Sequence, residues 1–306
     1  MATSPYPIHP DYTALAIAYK NKSYIADAVL PRRAVNAETF TYLKFNMEGY
    51  TIPDLRVGRT SRVPEVTYNA TEISDSVVDY GIESLIPYKD IKNSVNGVDP
   101  LAIATEGNAE RLALAREKRV ADLIFNAANY KVTTNKATLS STTQWSDYTN
   151  SDPIKAIYEA MDGMIMRPNI MVIGRGAWST LIRHPKIISA MYHNSGLYGV
   201  ATKEHITSLF ELDDVYVGES YINTAKKGQT VSLSRLWGKH CALLHRGRGL
   251  TETTFGFTAQ HGDRVSRVWE DVDIGLQGGM RIRVGESVKE LMSADDLGYL
   301  FTDAST

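Results

Sequence analysis

The sequence predicts an α+β chain organised around one long helix. Three stretches carry that reading. Asp99 to Tyr130 keeps a helical period from end to end, residues 46–88 before it carry proline and glycine punctuation with β-forming residues and no helical period, and the chain after it alternates short helices with buried strands before turning to strands alone.

Taken in order, residues 1–10 contain Pro5, Pro7 and Pro10 and read as an extended arm, followed by a short helix over residues 11–21 that Asp11 caps. Residues 24–45 alternate apolar clusters with Pro31, Arg32 and Arg33, a solvated pair, and end in a strand from Thr39 to Phe45. Residues 46–89 form a long two-stranded excursion, punctuated by Gly49, Pro53, Gly58 and Pro64 and β-rich from Glu65 to Val78. Its first half carries Arg56, Arg59 and Arg62. A hairpin of this length is marginal alone in water, so it lies against another part of the protein or another copy.

Asp99 followed by Pro100 is a helix-start signal, because a carboxylate accepts from the free amides of a first turn while proline has no amide to strand. Ala109, Leu112, Ala113, Val120, Leu123, Ile124 and Ala127 then recur on one face, with Arg111, Lys118 and Asp122 opposite. Extended to Tyr130, the helix reaches roughly 45 Å, more than a small domain requires, with Gly107 as the one place it could bend. Lys131 to Thr149, rich in Thr, Ser and Asn, reads as a hairpin or surface loop. Asp152-Pro153 repeats the start signal for a helix over residues 154–166 that Pro168 ends. An α/β section follows: a strand over 169–174, a helix over 177–183 stopped by Pro185, a helix over 203–210 and a strand over 214–217. Strands are expected at 230–236, 240–244, 253–258, 266–271, 279–284 and 298–301.

Composition narrows the function. With 306 residues and 43% hydrophobic content the chain fills one large or two moderate domains, and a net charge of −2 lacks the basic excess of a phosphate-gripping protein. The single cysteine, Cys241, excludes an intrachain disulfide and a CxxC site, which suits a reducing compartment. No signal-peptide core and no run near the ~20 apolar residues of a membrane span occur, so a soluble, intracellularly made chain is expected.

Catalytic signatures are missing. There is no phosphate-binding loop and no GxSxG, and the Gly275 to Gly279 run leads into a strand instead of the helix a dinucleotide fingerprint opens. His240, Cys241 and His245 face apart along a strand, and His184 and His205 read as solvated or capping residues. The acidic clusters at 213–214, 270–273 and 295–296 read as solvated loops. No catalytic, cofactor-binding or metal-binding residue is assigned, and an enzyme built on residues 151–262 is the alternative from a different class.

The order of parts, and the phrases EVTYNATEISDSVVDYGIESLIPYKD, DPLAIATEGNAERLALAREKRVADLIFNAANY, SDPIKAIYEAMDGMIMRPNIMVIGRGAWSTLIRHPKI and LFELDDVYVGES, resemble the major capsid proteins of tailed bacteriophages, including lambda-like and Mu-like groups. The resemblance implies the Johnson fold shared with the herpesvirus capsid floor and encapsulins, and self-assembly as hexamers and pentamers into an icosahedral shell enclosing double-stranded DNA. It also divides the chain: 1–45 arm and connecting strand, 46–88 extended loop, 89–150 with 263–306 peripheral domain carrying the 99–130 spine helix, and 151–262 axial domain. Arg56, Arg59, Arg62 and Glu65 then fall on the loop's assembly interface, and Gly107 becomes a candidate hinge. Partners implied are further copies, a scaffolding protein, a portal, decoration proteins and packaged DNA held without sequence-specific contacts, with no membrane. No coiled segment precedes the arm, so the scaffold is expected as a separate chain or one removed by proteolysis. One phage of the family locks its shell with lysine-to-asparagine bonds from this loop; with no lysine between Lys44 and Lys89, that chemistry is not expected here. An encapsulin-like nanocompartment is the alternative on the same fold.

Overall fold

The computed structural model describes residues 24–45, 54–63, 70–93, 99–191, 199–226, 228–247 and 253–306. The arm and the helix expected over 11–21 lie outside them. In chain order the elements are α1 (Ala26–Val29), β1 (Arg32–Val35), β2 (Thr39–Phe45), β3 (Ala70–Ser76), β4 (Val78–Pro87), α2 (Tyr88–Lys92), α3 (Pro100–Ile124), β5 (Lys136–Thr138), α4 (Pro153–Asp162), β6 (Ile170–Gly174), α5 (Arg175–Leu181), α6 (Pro185–Met191), α7 (Lys203–Phe210), β7 (Asp214–Gly218), β8 (Tyr221–Asn223), β9 (Leu233–Arg235), β10 (Cys241–Leu244), β11 (Gly256–Asp271), β12 (Gly279–Met292) and β13 (Gly298–Thr302).

α3 starts as its sequence dictates, with the Asp99 carboxylate accepting from the Leu101 amide at 2.9 Å and Pro100 in the first turn. It runs 25 residues without a break at Gly107. It stops at Ile124, short of Tyr130, because Asn126 turns its side chain onto the Ala128 amide and Asn129 donates back to the Leu123 carbonyl. Those bonds cap a 3₁₀ turn over Ala127–Asn129 and deliver the Tyr130 ring to the interior.

Two sheets meet on this helix. The first has strand order β1-β11-β12-β4 and the second β5-β13-β10-β6-β7. The middle of α3 lays Leu112 against Ile86, Val268, Ile282 and Val284 of the first sheet. Its last turns lay Val120, Ala121 and Ile124 against α1, Tyr130 and the second sheet. In that second sheet the period of two is complete: Ile170, Val172, Ala242 and Leu244 face α3, while Met171, Ile173, Cys241 and Leu243 face the core under α4, α5, α6 and α7. Both faces are covered, which is why β6 and β10 are apolar at nearly every position.

The excursion springs from a two-stranded ribbon of its own, β2 with β3, in register from Thr39 opposite Ser76 to Phe45 opposite Ala70. Its base therefore begins at residue 39, ahead of the sequence boundary, and ends at Ser76, short of the expected end at 88, because residues 78–87 pair with β12 as β4 of the first sheet. The base is tied to that sheet by Phe40 and Tyr42 packed around Phe257 and by the Lys289–Asp75 ion pair. Strands expected over 253–258 and 266–271 are one strand, β11, carrying a bulge between His261 and Val265 where Gly262 takes φ +67°. The helix expected over 154–166 ends at Asp162. Pro185 opens α6 where it was expected only to stop a helix. The segment expected as a hairpin or surface loop, 131–149, is neither: it adds β5 to the second sheet, parallel to β13, and buries Trp145 against Phe301.

Candidate assembly surfaces

The loop tip, residues 54–63, is exposed at every position. Asp54 accepts from the Arg56 amide at 3.1 Å and Ser61 donates its amide to the Gly58 carbonyl at 3.0 Å, so the tip is a built turn. Arg56, Arg59 and Arg62 stand on it without an ion pair to another described residue, beside Leu55 and Val63, each 70% exposed. Glu65 lies outside the described residues. A turn presenting cations and apolar side chains to water has nothing of its own to bury them against. Gly107 sits inside α3, and a Cβ there meets no heavy atom within 4 Å, so the glycine is not imposed by packing.

Behind these surfaces lies a polar junction. Arg116 and Glu117, both buried, sit on the apolar stripe of α3 in place of aliphatic residues. Arg116 pairs with Asp27 and donates to Thr258 Oγ1 at 3.0 Å. Glu286 accepts from Arg32 at 2.9 Å and Arg264 at 3.1 Å, and Glu290 from Arg119 at 2.9 Å. Burial by itself would raise the carboxyls of Asp27 and Glu286, but the guanidinium groups beside them outweigh it and hold both below their ordinary values. Glu117 goes the other way. Burial raises its carboxyl despite bonds from Ile25, Ala26 and Trp237.

The sequence places charge at 116 and 117 in the register of the stripe from Ala109 through Leu112 to Val120, and that register was the available signal for this junction. Their partners lie on other elements, so no local pattern names them.

The side chains that invited a chemical reading are engaged structurally. Cys241 is buried in the second sheet's core, which pushes its thiol well above the ordinary range. His240 Nδ1 accepts from the Asp303 amide at 3.0 Å, and His245 donates Nδ1–H to the Arg167 carbonyl at 2.9 Å. His184, expected as solvated or capping, is a buried cap: its Nδ1 accepts from the Lys186 amide at 3.2 Å, so the ring proton is on Nε2, 3.0 Å from Ser151 Oγ. Ser151 in turn donates to the Asp147 carbonyl at 2.7 Å. Serine's proton points away from the imidazole, the reverse of what an activated nucleophile needs.

Residues 121–233 match the family model described as phage major capsid protein E. Over 99% of both chains the sequence is 45% identical to the major capsid protein of Pseudomonas phage JBD67. Among solved structures, a phage-related protein from Bordetella bronchiseptica RB50 superposes with a TM-score of 0.75 at 21% identity, over 98% of each chain. The capsid of cyanophage P-SCSP1u does so with 0.59 at 12% identity, over 99% of this chain and 92% of that one. The fold is the α+β capsid fold that the order of parts implied.

Proposed function

This chain belongs to the phage major capsid proteins, and from that premise we propose how its parts serve a shell. The protein is the repeated subunit of an icosahedral virion capsid. The loop carried by the β2–β3 ribbon, residues 46–69, reaches over a neighbouring copy, with Arg56, Arg59, Arg62 and Glu65 at the contact. The observation that carries this is the tip itself: a built turn whose cations and apolar side chains are all exposed. Residues 89–150 with 263–306 act as peripheral domain around α3, and the first sheet that covers it also draws in β1, β4 and the start of β11 from outside those bounds. Residues 151–262 act as axial domain, with β5 and β13 of the peripheral stretches completing its sheet. Gly107 is the hinge of the spine.

The shell encloses double-stranded DNA without gripping it, since a subunit of net charge −2 has no phosphate-binding excess to impede packaging or release. Its role is structural, not catalytic, and assembly uses a scaffold and a portal, with decoration proteins outside. Particles purified from infected or expressing cells test the reading. Closed shells that carry nuclease-protected DNA in the infected case are expected; a discrete small oligomer, or shells filled with protein cargo, would overturn it.

A further inference from the structure

Glu117 is where three parts of the subunit touch one carboxylate. Its Oε1 accepts from the Ile25 amide at 3.0 Å and from Trp237 Nε1 at 2.6 Å, and its Oε2 from the Ile25 and Ala26 amides at 3.1 and 2.8 Å. α1 has no side-chain cap of its own at Ile25 and is four residues long, too short to hold itself. Glu117 supplies the missing cap from the spine helix. Trp237 lies in the turn between β9 and β10 and packs on the second sheet: its ring fills the space where a Cβ on Gly218, the last residue of β7, would stand, and it meets Phe125 edge-on at 5.5 Å. Arg246, just past β10, also donates to the Ala28 carbonyl at the other end of α1.

We propose that the Glu117 carboxylate couples the amino-terminal segment to the position of the second sheet, so that displacement of Trp237 from the spine helix loosens the hold on Ile25 and Ala26. The reason is the sharing of one oxygen. A buried carboxylate that loses a donor must draw its remaining partners differently, admit water or take a proton, and each response disturbs the oxygens that cap α1. Movement of the sheet is thereby transmitted to the point from which residues 1–23 depart.

Hydrogen exchange on the full-length subunit tests this. In the unaltered chain the Trp237 indole N–H and the Ile25 and Ala26 amides should show matching protection, because one opening event frees all three. Trp237→Phe keeps the ring and removes the donor; exchange at Ile25 and Ala26 should then rise about tenfold. Adding Trp237→Phe to Glu117→Gln should bring no further rise, since the path runs through that carboxylate. Unchanged exchange in Trp237→Phe, or additive effects in the double variant, would overturn the coupling. If Trp237→Phe does not fold, the unaltered chain decides: protection differing more than tenfold between indole and amides rejects it.

Discussion

Glu286 is 4% exposed and sits between the guanidinium groups of Arg32 and Arg264, so its removal strands two cations in a poorly solvated place. Glu286→Ala should therefore cost about 3–5 kcal/mol in urea denaturation, whereas breaking the exposed Lys118–Asp122 pair by Asp122→Ala should cost under about 1 kcal/mol. Acid should act through the same groups. Asp27, Glu286 and Asp295 titrate below their ordinary values in the folded chain, so the unfolded chain takes protons first and stability is lost as pH falls through the ordinary carboxylate range. His184 is lowered from 6.5, first by burial and then by Lys186, so its contribution is lost as pH drops below 6.5. Glu117, being raised, protonates first in the folded chain and returns part of that loss. Denaturation at pH 7, 5.5 and 4 should give a decline in two stages; stability rising steadily toward pH 4 would contradict the assignment. None of these pairings was readable beforehand, because Arg32 beside Arg33 looks like a solvated pair until Glu286, from the far end of the chain, is folded onto it.

Helix starts and apolar strands were the most legible elements. Asp-Pro before residues 101 and 154, and the apolar run Ile170–Gly174, each carry their cause in adjacent residues, so helix and strand fall where the sequence put them. Ends were less legible: α3 stops because of side-chain bonds made by Asn126 and Asn129, and β11 continues through His-Gly-Asp because Gly262 forms a bulge between what read as two separate strands. Glycine inside α3 is the element's own test. Gly107→Ala meets open space, so it should stabilise the subunit by about 1 kcal/mol through helix propensity. As a hinge, the same change should alter shell size or the fraction of closed particles in electron micrographs. Normal shells from a stabilised subunit would make the glycine incidental.

For the whole molecule, the capsid architecture was legible from the order of parts, while the packing between copies was not, since no single chain contains it. Deleting residues 54–64 should leave a folded, soluble subunit, because the β2–β3 base is anchored independently by Phe40, Tyr42 and Phe257, yet that subunit should form no shells under the electron microscope. Mature particles should run as a single band on a denaturing gel, since no lysine lies between Lys44 and Lys89; a ladder of covalent multimers would refute this. The spine's geometry has one more consequence. At 1.5 Å per residue its 25 residues span about 37 Å, so a tilt of about 3° at the end beneath one sheet displaces the other end by about 2 Å. If neighbouring copies sit at its two ends, a lever of that length would turn angular play smaller than a side-chain rotation into a change of arc between them, the kind of adjustment that separates the flat faces from the corners of a closed surface.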